Sequence, residues 1–182
     1  YRQPPSILNT EQREQVAIML LNKLQTCLED IYEIPSRHRV QDFVIHDAVL
    51  AAQLDNSDNP RPLTEKLLIH QHGDGLDLAL YLDEKIMRRL EQFDPTARLT
   101  NDNIHDFWVA LEGISHFIYL TYHAAYERAI SLFELELQAE VDKFVLTAWS
   151  LAENHGTTSV DSLHGALFRQ SRPRHDLNDH LQ

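Results

Sequence analysis

Cysteine is nearly absent from this 182-residue chain: Cys27 is the only one. No intrachain disulfide can form, so the fold needs no oxidising compartment. Cys27 lies among Leu24, Leu28 and Ile31 in a helical pattern, where packing is its expected role. Basic residues are also scarce, with 16 Lys and Arg against 28 Asp and Glu and a formal charge of −12. Such a surface repels phosphate backbones, and no nucleic-acid partner is expected. The longest apolar run, Val16 to Leu21, has six residues, far short of the roughly 20 that span a bilayer. Only five glycines occur, and none builds a phosphate-cradling loop or a nucleophile elbow. No signal peptide is legible from Tyr1 onward, and the expected location is cytoplasmic.

What is present suits an ordinary globular protein: 43% hydrophobic and 24% charged residues are enough for one sizeable core. The expected organisation is a single domain over 1–182, with its core at about 10–168. Residues 1–9 and 170–182 are expected to be flexible ends, and 55–63, rich in Asp, Asn and Pro, an internal loop. Apolar residues at three- and four-residue steps from Val16 to Ile31 predict a helix over 10–33, stopped before Pro35. Val40 to Ile45 is short and rich in β-branched and aromatic residues, and reads as a strand. Asp47 can cap a short helix through Leu54.

The strongest β signal is Leu67 to His72, then Gly73-Asp74-Gly75, then Leu76, Leu78, Leu80 and Leu82 at alternate positions. That pattern predicts an antiparallel hairpin. Helices are expected over 84–93, 101–128 and from Ser131 to about Asn154, with a short one between Thr158 and Phe168. Ser131 and Glu134 stand at capping-box spacing. The predicted fold is therefore α+β: three to four main helices with a small antiparallel sheet. Phe107, Leu111, Ile114 and Ile118 mark the apolar side of the 101–128 helix, and Glu136 and Lys143 on the next helix are expected to stay accessible.

The 101–128 helix also carries the best candidate for chemistry. At about 100° per residue, His105, Glu112, His116 and His123 fall within about 40° of one another. Glu112 and His116 are one turn apart and can share a divalent transition metal, with ligands from another helix, or act as a carboxylate-held general base. If the next helix packs antiparallel, Glu140 is the carboxylate expected near His116. The metal candidates are thus His105, Glu112, His116, His123 and Glu140, and the catalytic candidates Glu112 and His116. The spacing departs from the Glu-x-x-His of di-metal carboxylate bundles, and a solvated polar face explains the same residues. A second candidate is His70-Gln71-His72 with Asp74, which resembles a metal half-site but lacks the remaining ligands.

No motif of chemistry is complete, so enzymatic activity is not the first expectation. The leading reading is an interaction or regulatory module that binds a protein partner or itself. The alternatives are a metal-binding protein or metal-dependent enzyme using the His/Glu stripe, and a carrier of a small apolar molecule near Trp108 and Trp149.

Overall fold

The computed structural model describes residues 10–34, 37–55, 64–73 and 75–155. The elements run α1 (Thr10–Tyr32), a 3₁₀ turn (Val40–Asp42), β1 (Val44–Ile45), α2 (Ala48–Leu54), β2 (Glu65–His72), β3 (Gly75–Leu82), α3 (Glu84–Gln92), α4 (Ile104–Ala124) and α5 (Leu132–His155). This is the helix-dominated α+β domain expected from sequence. The predicted 158–168 helix, the two flexible ends and most of the 55–63 loop lie outside the described residues.

The hairpin forms where the leucine alternation placed it. Glu65 pairs with Leu82, Leu67 with Leu80 and Ile69 with Leu78 in antiparallel register. Directly opposed residues share a face, so Glu65 stands on the same side as Leu80 and Leu82, both fully buried. The sheet departs from the expectation at its third strand. Val40 to Ile45 is a 3₁₀ turn followed by a two-residue strand, not one continuous strand, and β1 joins β3 in parallel. The cause is Gln25, buried in α1: its Oε1 accepts the Val40 N–H at 2.8 Å, and its Nε2 donates to the His38 carbonyl at 2.7 Å. Val40 is thereby fixed against α1, and only Val44 and Ile45, with the Phe43 carbonyl that accepts the Leu80 N–H at 2.8 Å, reach the sheet.

α4 runs through the middle, buried around most of its circumference, with the sheet, α1, α3 and α5 packed about it. Phe107, Leu111, Ile114 and Ile118 lie in the core as expected. The helix is shorter than the predicted 101–128 at both ends. Asn103, buried, accepts the Thr100 N–H at 2.8 Å and donates to the Arg98 and Phe93 carbonyls, tying off the entry. At the exit, Glu127 adopts φ 52°, and the Glu127 and Arg128 N–H groups donate to the Ala124 and His123 carbonyls. α1 ends in the same way at Glu33, φ 54°. Both are left-handed terminations that absorb the last carbonyls without glycine. The capping box opening α5 is in place: Glu134 N–H donates to Ser131 Oγ at 3.2 Å, and Ser131 N–H to Glu134 Oε2 at 2.8 Å.

Candidate functional site

The middle of the polar stripe of α4, at Glu112 and His116, is covered and not solvated. α5 packs along it from one side and the start of β2 from another, so His116 is buried and Glu112 half-buried. Both stand on the α4 face opposite Ile114. The close approach of the sheet depends on Gly113. A Cβ there would stand 2.8 Å from Leu80 Cδ1 and 3.0 Å from Glu65 Cγ. A glycine inside a helix costs about 1 kcal/mol relative to alanine; here it gives Glu65 its place beside His116.

Four carboxylates and two basic groups meet at this junction. Glu112, His116 and Glu136 each offer a ligand atom, all within 4.8 Å of one another. His116 Nδ1 faces Glu65 Oε1 at 3.6 Å. Lys143 Nζ donates to Glu112 Oε2 at 3.0 Å and to Glu140 Oε1 at 2.5 Å. Two buried atoms at the centre, His116 Nε2 and Glu65 Oε1, have no hydrogen-bond partner. An orphaned ring nitrogen in such a place is costly unless something meets it.

The electrostatics follow from burial and from the excess of carboxylates. Burial alone would push His116 down, but the Glu65 carboxylate, with Glu136 and Glu112 beyond it, outweighs that and holds the imidazole above its ordinary range. Burial raises Glu65, against the opposing pull of His116. Lys143 is lowered by burial and raised more strongly by Glu112 and Glu140, so it stays charged. The junction therefore retains protons that the unfolded chain gives up more readily.

A pH experiment isolates the Glu65–His116 contact. In chelator-treated protein, the His116 ring is expected to titrate above 6.5, the value it starts from. A Glu65→Gln replacement removes the main raising charge and leaves desolvation, so the midpoint should fall below that of the native chain. Because the folded value lies above the unfolded one, the stabilisation from His116 is complete below about pH 6.5 and is lost as pH rises through the folded value. Histidine ring resonances followed by NMR read this directly; an unchanged midpoint in the Gln variant would mean Glu65 is not the partner.

The other candidates from the sequence fall elsewhere. His105 is exposed at the start of α4. His123 is engaged by Arg128, whose Nη1 lies 3.0–3.2 Å from the ring nitrogens, and its ring packs on Tyr119 at 4.3 Å between centroids. Glu140 is taken by Lys143, and Glu136, one turn earlier on α5, approaches His116 instead. Lys143 is buried and Glu136 half-buried, against the expectation that both stay accessible; the α4–α5 seam runs through them. His70 and His72 do share a sheet face, but an exposed one, where His72 pairs with Asp77 at 3.4 Å; Asp74 lies outside the described residues. Trp108 Nε1 donates to Thr147 Oγ1 at 3.0 Å, and Trp149 is exposed.

Sequence reasoning missed Glu65 and a second buried carboxylate, Asp142 on α5. Asp142 accepts from Ser115 Oγ at 2.5 Å, from Gln138 Nε2 at 2.9 Å and from the Tyr32 hydroxyl. Burial raises it, opposed by these three donors, and Tyr32 is raised in turn by burial and by the Asp142 charge. Glu65 did leave one signal: a charged residue in alternation with Leu67 and Ile69 on a face otherwise apolar. No protein-family model, curated protein or solved structure matches the chain.

Proposed function

We propose that the chain binds a divalent transition-metal cation at the α4–α5–β2 junction, through Glu112, Glu136 and His116 Nε2, with Glu65 holding His116 Nδ1–H. The observation that carries this reading is the buried His116 Nε2, which has no hydrogen-bond partner. A carboxylate behind a ligating imidazole fixes its tautomer and raises its basicity; Glu65 Oε1, unpartnered and 3.6 Å from His116 Nδ1, is placed to close into that role. Mixed nitrogen and oxygen donors suit zinc, iron or manganese. Metal–donor distances of about 2.1 Å require donors roughly 3–4 Å apart, and the half-buried Glu112 and Glu136 can close that gap by side-chain rotation. Charge supports the same conclusion: Glu65, Glu112, Glu136 and Glu140 face one ammonium, Lys143. A divalent cation would compete with the proton at His116 Nε2, so binding should release protons and weaken as pH falls.

Three protein ligands leave a coordination position for water or substrate. Catalysis at that position is a separate question from cation binding. The cytoplasmic location expected from sequence belongs to the same reading, since a chain with one thiol folds without oxidation. No helix among the described residues is long and apolar enough to cross a membrane. The interaction-module reading follows from the lack of a complete motif of chemistry; the surface it can draw on is exposed Phe133, Leu137 and Val141, four residues apart along α5.

Elemental analysis tests the metal reading. Protein purified without added metal, or incubated with zinc, iron or manganese and then desalted, should carry about one equivalent. Substoichiometric traces under all of these conditions would contradict it.

A further inference from the structure

A cavity of about 220 Å³ opens between the C-terminal parts of α1 and α4 and the middle of α5. Its walls include Tyr32, Tyr119 and Tyr122, and Asp142, Ser115 and Gln138 form its polar side. Asp142 is only 2% exposed. Its hydrogen bonds come from a hydroxyl, a phenol and an amide, all neutral, and among the described residues it makes no ion pair with Lys or Arg. The charge acting on it is that of His116, through space and not through a hydrogen bond; a carboxylate held dry without an ion pair is energetically unfinished.

The aromatic groups around it are fixed in place. Tyr119 and Tyr122 both pack on the His123 ring, at 4.3 and 5.2 Å between centroids, and Tyr32 is held by Asp142 and by Gln138 Nε2, which donates to its hydroxyl at 2.8 Å. Tyrosine faces carry negative potential and attract organic cations, most strongly where water is excluded. We propose that this cavity binds a small organic ammonium, a primary or methylated amine, with its charge set between the tyrosine faces and the Asp142 carboxylate. An anionic ligand would meet Asp142 as a like charge, and a neutral apolar one would leave that carboxylate dry and unpaired. A hard metal ion would find a single carboxylate among the lining residues, too few anionic donors for it. Among the described residues no nearby cation bonds Asp142 directly: His116 acts on it only through space, Arg128 is bound to Glu134 and His123 on the outer rim, and Arg37 lines a neighbouring cavity. The overall charge of −12 favours the approach of cationic ligands.

This site uses none of Glu112, His116 or Glu136 and does not depend on the metal reading. The test is a calorimetric titration of the full chain, in the presence of a chelator, with choline as probe. Its uncharged isostere 3,3-dimethylbutan-1-ol and propionate serve as comparisons. Choline should bind saturably at one site, and the alcohol and propionate at least about tenfold more weakly. Asp142→Asn should weaken choline binding by roughly tenfold or more, and Tyr119→Leu several-fold, while Glu112→Gln leaves it unchanged. Circular dichroism checks each variant; if Asp142→Asn fails to fold, Tyr119→Leu, on the half-buried wall, decides. Equal affinity for the alcohol, a preference for propionate, unchanged binding in both variants, or no saturation up to about 10 mM choline would overturn the proposal.

Discussion

A Glu112→Gln/His116→Ala variant is expected to bind zinc at least roughly a hundredfold more weakly than the native chain, while keeping the native far-ultraviolet circular dichroism. The two replacements remove a carboxylate and the imidazole from a three-donor set, leaving Glu136 and the Glu65 carboxylate that had held the ring. Glu65 should accommodate the loss by protonation, because burial already raises it; the fold therefore need not carry a naked charge. Lys143 keeps Glu140 as a partner at 2.5 Å, so the α4–α5 seam retains an ion pair. Isothermal titration of chelator-treated protein reads both affinity and proton release. Near-native zinc affinity in the double variant would remove these residues from the site.

The opposite face of α4 should behave in the opposite way. Ile114 is fully buried beside Phe117 and Leu111 in the main core, so Ile114→Ala is expected to cost about 2–5 kcal/mol in chemical denaturation. Part of that is lost transfer free energy and part the cavity left in a close-packed helix junction. Zinc affinity at moderate temperature should stay close to native, because Ile114 touches the cluster only through the helix backbone. Together the two variants separate stability from binding on one helix. A loss below about 0.5 kcal/mol for Ile114→Ala would mean the core lies elsewhere around α4.

Local features of this fold were legible in the sequence because local physics determines them. Leucine alternation after Gly73 gave the hairpin, the Ser131/Glu134 spacing gave the start of α5, and Asp47 gave the cap of α2. Three- and four-residue steps gave helix α1 with Leu20, Leu24 and Leu28 on its buried face, although Val16 and Ile31 at the ends of that pattern are exposed. What stayed hidden depends on how finished elements are rotated against one another. Spacing placed Glu112 and His116 on one stripe, but could not say that α5 and β2 would cover it. It could not choose Glu136 over Glu140, because both lie on the same helix face and only the offset between α4 and α5 decides. Lys143 looked like a surface partner for these glutamates; its burial follows from the same seam. Gly113 was the residue most able to reveal the site. A glycine inside an otherwise apolar helix implies close approach of another element, and here that element brings Glu65. The third strand was misjudged for a related reason, since a side chain 15 residues earlier, Gln25, captures the Val40 N–H.

The most direct measurement is an anomalous-difference map from crystals of the purified chain soaked in zinc, recorded at the zinc absorption edge. One peak is expected between Glu112, His116 and Glu136, within about 2.0–2.2 Å of His116 Nε2 and of a carboxylate oxygen from each glutamate. A zinc-soaked crystal with no peak there, or with its ordered zinc at His70 and His72 instead, would contradict a metal centre at the α4–α5–β2 junction.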